Sequence, residues 1–139
     1  MRMAHLVLTG QIKNKKRVVE YANALAKELG LGRMWSKIIF IKFETVLDDE
    51  VQGQCWGSRA DGYAEVKIAR KSGGEPLDYD EMMRTLAHEM VHAKQYLRGE
   101  INAAGGWKGK KPRNYKYENQ PWEKEAYSKE VGLYEKCWL

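Results

Sequence analysis

The sequence predicts an α+β fold, and three observations predict it. The run Ile38-Ile39-Phe40-Ile41-Lys42-Phe43 is densely β-branched and aromatic, as a central strand would be. Two further strand-like runs, 51–58 and 63–70, flank Arg59-Ala60-Asp61-Gly62, a hairpin turn. Three other stretches, near 14–29, 78–98 and 121–137, carry apolar residues at helical spacing.

Composition sets the bounds. A chain of 139 residues predicts one domain, 1–139, large enough to bury a core. With 43% hydrophobic and 31% charged residues the composition is that of ordinary globular chains. No apolar run approaches the roughly 20 residues of a membrane span, so no membrane partner is expected. The first ten residues hold only a short apolar patch, His5-Leu6-Val7-Leu8, and lack the core of a secretory signal. Two cysteines, Cys55 and Cys137, argue against a disulfide framework and for a reducing cytoplasmic setting. A monomer is expected.

Taken in order, residues 4–9 alternate weakly and read as a short strand. In 14–29, Val18, Ala22, Leu25, Ala26 and Leu29 mark one helical face, and Gly30 ends it. Asp48-Asp49-Glu50 is a turn. In the run 63–70, Ala64, Val66 and Ile68 point one way and Glu65 and Lys67 the other, which predicts one covered and one wet face. Residues 71–75 read as a glycine-containing loop. The next helix begins with Asp78, three residues before Glu81, as in a capping box, and stops at Gly99. Met82, Leu86, Met90, Ala93 and Leu97 form its apolar stripe, while Glu81, Thr85, His88, His92 and Gln95 fall on a polar face. Residues 99–120 show no period, which suggests a functional loop or an irregular hairpin with 104–107 as its flexible part. The last helix starts at Pro121, a residue suited to a first helical position.

The chemistry concentrates in Ala87-His88-Glu89-Met90-Val91-His92-Ala93. This is H-E-x-x-H on an amphipathic helix. Two imidazoles four residues apart lie one turn apart on one face, so both reach a single metal ion, Zn2+ for this donor set. Glu89 sits beside that ion rather than on it, where its carboxylate takes a proton from water. A catalytic zinc needs a third protein ligand. The only other histidine is His5. A third His six residues after His92 is absent, since Arg98 stands there. Carboxylates of the last helix are therefore the expected source. On a helical wheel, Trp122, Ala126, Tyr127, Leu133, Tyr134, Cys137 and Trp138 form an apolar arc, with Glu123 and Glu130 near its middle. Glu125 falls opposite, four residues before Lys129, and reads as an exposed ion pair. A core-facing carboxylate needs a cation, so Glu123 is the expected ligand and Glu130 a supporting group or the partner of a basic side chain.

His88-Glu89-Met90-Val91-His92 followed by Glu123-Lys124-Glu125-Ala126-Tyr127 resembles the gluzincin arrangement of zinc metallopeptidases, where a Glu on a second helix is the third ligand. The second half of the chain also resembles small single-domain phage and bacterial metallopeptidases of SprT-like flavour. The resemblance implies a zincin-like fold, zinc held by His88, His92 and Glu123, and hydrolysis of a peptide or protein substrate with Glu89 as base. Tyr127 stands where many gluzincins have an Asp that braces the first His; either Tyr127 or another acceptor does so here. Tyr115, Tyr117 and Tyr127 are candidates to stabilise an oxyanion. By analogy with zincins, substrate would add as a strand along a hairpin edge near 63–69.

The net charge of +5 includes clusters at Lys13-Asn14-Lys15-Lys16-Arg17 and Lys108-Gly109-Lys110-Lys111-Pro112-Arg113, the second beside Trp107, Tyr115 and Tyr117. Basic residues mixed with aromatics can contact nucleic acid, but a modest charge reads first as a solvated loop. The alternatives are a nucleic-acid- or protein-binding module with a structural or vestigial zinc site, and a SprT-like peptidase acting on DNA-bound protein.

Overall fold

A computed structural model describes residues 5–32, 34, 36–102 and 105–139. Ala4 of the first expected strand and Ala104 of the expected flexible segment lie outside them. The elements run β1 (His5–Gly10), α1 (Lys15–Glu28), β2 (Ile38–Glu44), β3 (Gly53–Ser58), β4 (Tyr63–Ala69), β5 (Lys71–Ser72), β6 (Glu75–Pro76), α2 (Tyr79–Leu97) and α3 (Pro121–Cys137). This is an α+β arrangement of three helices with a small mixed sheet.

The sheet order is β1-β2-β4-β3. β1, β2 and β4 run parallel, and β3 pairs antiparallel to β4 through the expected hairpin. Ile39, Ile41, Phe43, Ala64, Val66 and Ile68 point to one face, where α1 and α2 bury them. Each large aliphatic side chain so buried stabilises the fold by about 1.5–3 kcal/mol. The other face is wet, as the alternation predicts, and carries a cross-strand ladder in which Lys42 bonds Glu65 at 3.0 Å.

β4 lies between β2 and β3, so the stretch 63–69 is not an edge. The hairpin folds back on the outside and makes β3 the edge strand. Residues 71–76 are a tight hairpin of β5 and β6 rather than a loop. Its two turn residues, Gly73 and Gly74, take φ of +59° and +80°, which glycine adopts without steric cost.

α1 ends as its glycine predicts. Gly30 takes φ +75°, and the amides of Gly30 and Leu31 turn back to Lys27 and Ala26. α2 starts on Asp78, whose carboxylate accepts from the Glu81 amide at 3.3 Å. Its apolar stripe packs on the sheet. Its polar face is not turned to water but lies beneath α3 and β3, which is why His88, Glu89, His92, Lys94 and Gln95 are all buried. Between α2 and α3 the described residues include an irregular hairpin, with bridges from Ile101 to Trp107 and from Trp107 to Lys110, and a 3₁₀ turn at Tyr117–Asn119. Among the described residues no helix is long and apolar enough to cross a membrane.

Candidate metal centre

Three elements meet at the site. α2 brings His88, Glu89 and His92, α3 brings Glu123 from its first turn, and β3 forms the opposite wall. The third wall can come close only because it is cut down. A side chain at Gly53 would meet Thr85 Cγ2 at 2.6 Å and the Glu89 carboxylate at 3.0 Å, and one at Gly57 would meet Tyr96 Cβ at 2.9 Å. Glycine at these two positions lets the strand lie directly on the helix.

The Nε2 atoms of His88 and His92 lie 3.0 and 3.1 Å from one oxygen, Oε1 of Glu123. Two imidazole nitrogens and one carboxylate oxygen thus converge within a span that a metal ion can bridge. The outer nitrogens are occupied too. His88 Nδ1 pairs with Glu130 Oε1 at 3.0 Å, and His92 Nδ1 with Gln95 Oε1 at 2.7 Å. A carboxylate can only accept, so His88 donates from Nδ1 to Glu130 and from Nε2 to Glu123, and Nε2 is the nitrogen free to turn to a metal once that second proton leaves. The donor set fits zinc: two imidazoles, one carboxylate, and an open side toward the cleft.

Electrostatics follow from this packing. Burial works to raise the Glu123 carboxyl, but hydrogen bonds from His88 and His92 outweigh it and bring the value to about 2. Burial works to lower both imidazoles, but the bond to Glu123 and the charge of Glu89 outweigh it and raise them. Glu89 differs. It is 7% exposed and forms no hydrogen bond among the described residues. Burial raises its carboxyl to about 7, against the pull of His92 and His88. An unbonded buried carboxylate is costly unless something else uses it. It borders a cleft of about 390 Å³ shared with His92, Glu123, Tyr96 and Trp122.

Two expectations for α3 need correction. Glu125 is not an exposed pair with Lys129. It does take Lys129 at 3.3 Å, but it also accepts from Lys94 at 2.8 Å and Gln95 Nε2 at 3.0 Å, and its side chain is only 17% exposed. A wheel ranks α3 residues against each other; it does not show that α2 brings a lysine and a glutamine across to meet one. Tyr127, placed on the apolar arc, is 55% exposed. Its ring meets His88 edge-on at 4.6 Å, and its hydroxyl pairs with Tyr117 at 3.0 Å. The hydrogen bond that braces His88 is accepted by Glu130 instead. Tyr115 packs on Trp122. His5 is exposed on β1, at the sheet edge opposite β3, and takes no part.

The residue missed altogether as part of the site is Gln95. Its signal was its place three residues after His92, a spacing that puts two side chains on one helical face. No model of a known protein family and no curated protein matches the chain.

Proposed function

We propose that this chain is a zincin-like, zinc-dependent peptidase of gluzincin type. The observation that carries the reading is the convergence of His88, His92 and Glu123 beside Glu89, a buried carboxylate that forms no hydrogen bond among the described residues. A structural metal site has no use for such a group. A zinc ion held by the three ligands lowers the pKa of water toward about 7 and polarises a carbonyl.

The chain's own residues supply the remaining steps. Glu89 takes a proton from the attacking water as oxygen bonds to the scissile carbon. It returns that proton to the amine nitrogen as the C–N bond breaks. The Tyr117–Tyr127 hydroxyl pair beside His88 is suited to donate to the developing oxyanion.

An extended peptide is the substrate the wall favours. Ala69 N–H donates to Gln52 C=O, so Gln52 and Ala69 are a hydrogen-bonded pair, and the pairing then alternates along β3. Gly53, Cys55 and Gly57 therefore turn their amides and carbonyls away from β4, along the cleft. A peptide pairing with them would run past Glu89.

Glu89→Gln tests the reading. The amide cannot accept the water's proton, so the variant should keep its zinc and lose about 10²- to 10⁴-fold in hydrolysis of a denatured protein. Near-wild-type cleavage by that variant would sink the mechanism.

A further inference from the structure

His92 has no carboxylate on its outer nitrogen, and what stands there is unusual in its support. Gln95 is fully buried, and its amide is enclosed on both ends. Its Nε2 faces two acceptors, the Trp122 carbonyl at 3.0 Å and Glu125 Oε1 at 3.0 Å. Its Oε1 faces His92 Nδ1 at 2.7 Å. Rotating the amide by half a turn would set its oxygen against a carbonyl and a carboxylate, leaving three buried groups without a proton between them. The amide orientation is thus determined by its surroundings rather than by His92. With the oxygen held toward Nδ1, that nitrogen must carry a proton, so Nε2, which donates to Glu123 in the metal-free protein, is the nitrogen left to offer its lone pair to a metal.

Glu125 is itself fixed. Lys94, 7% exposed, donates to Glu125 at 2.8 Å and forms an ion pair with Glu100 at 3.0 Å, and so ties α3 to the start of the segment that follows α2. The chain of contacts runs Glu100, Lys94, Glu125, Gln95, His92. It belongs to three separate segments and ends on one ring nitrogen.

We infer that Gln95, locked in orientation by Glu125, is a positioning residue that sets the tautomer and ring angle of His92, making Glu125 part of the metal site without being a ligand. The inference rests on the metal-centre reading above. Groups that hold the outer nitrogen of a ligating histidine commonly affect metal affinity by about 10- to 100-fold.

The experiment compares Gln95→Met, Glu125→Ala and Glu125→Gln with wild type by two measurements. One is zinc affinity by chelator competition, with the visible spectrum of the cobalt-substituted protein as a report of ligand geometry. The other is NMR of the metal-free protein at mildly acid pH, where a hydrogen-bonded His92 Nδ1–H exchanges slowly enough to be seen. Gln95→Met and Glu125→Ala should lose that signal, weaken zinc by about 10- to 100-fold and alter the cobalt spectrum. Glu125→Gln keeps an oxygen for Lys94 and Gln95, so it should retain the signal and stay within about 3-fold of wild-type affinity. If Glu125→Ala does not fold, the contrast between Gln95→Met and Glu125→Gln still decides. Wild-type affinity and spectrum in Gln95→Met would overturn the inference. A wild-type protein that binds neither metal overturns the metal-centre reading instead, and the Nδ1–H signal then reports on its own whether Gln95 and Glu125 hold His92.

Discussion

The wet face of the sheet and the space beneath α3 are built from similar side chains and do different things. On the sheet, Lys42, Glu65, Lys67 and Glu44 form a ladder at 3.0 to 4.0 Å, each side chain 31–41% exposed. Beneath α3, Lys94, Glu100 and Glu125 lie at 2.8 to 3.0 Å, each 9–20% exposed, beside the two histidines and Glu123. Water can replace any partner in the first group. In the second it has little access, so losing one partner strands another. The lesson is that burial, rather than the number of ion pairs, separates a solvated surface from a site.

The comparison can be broken most forcefully at Glu123. Its replacement by Gln removes the negative charge of the proposed ligand and leaves a weaker, neutral acceptor for both imidazoles. Zinc affinity should fall by more than about 100-fold, and the metal's stabilisation of the native state should go with it. Zinc titration followed by thermal unfolding measures both. Glu125→Ala is the matched probe on the same helix. It should lower stability by about 2 kcal/mol, below the roughly 3–5 kcal/mol of a fully broken buried pair because Lys94 keeps Glu100. Equal zinc loss in Glu123→Gln and Glu125→Gln would erase the distinction between ligand and support.

pH sharpens the contrast next. In the metal-free protein His88 and His92 are raised, so their contribution is present below the ordinary imidazole value and is lost as pH rises through the folded one. Glu123 is depressed to about 2, so its contribution is present above the ordinary carboxyl value and is lost as pH falls toward 2. The contribution of these three groups should therefore be largest between about pH 4.5 and 6.5, while Glu89, raised to about 7, works against it as pH rises above the ordinary carboxyl value. Zinc needs both imidazoles unprotonated, so its affinity should rise with pH over the range where they titrate. Opposite pH trends for metal-free stability and for zinc affinity are the expected signature. Denaturant unfolding at several pH values, with and without zinc, reads both.

The smallest effect belongs to the sheet. The hydrogen bond from Lys42 holds Glu65 below the usual carboxylate range, yet the pair is open to water. Glu65→Gln should change stability by less than about 1 kcal/mol, and the difference should shrink in high salt.

What could be read in the residues followed how local each signal was. The start of α2 at Asp78 and of α3 at Pro121 depends on neighbours within one turn, and both stand where expected. H-E-x-x-H lies within one helix, and Glu123 was accessible because a carboxylate on an apolar arc asks for a cation. The bonds from Lys94 and Gln95 to Glu125 were not legible, because they join residues about thirty positions apart on two helices. The edge strand was misplaced for a similar reason. Alternation in 63–69 shows which face is covered, but not that β2 and β3 occupy both sides of β4. Tyr127 shows the limit of a wheel, which assigned it to the arc without knowing how far α2 covers α3.

The most direct test of the metal centre is elemental analysis of the purified protein beside His88→Ala and His92→Ala. Wild type should carry one zinc per chain, and each variant should carry almost none. A metal-free wild type that zinc does not bind or stabilise, or variants that retain the ion, would contradict the account.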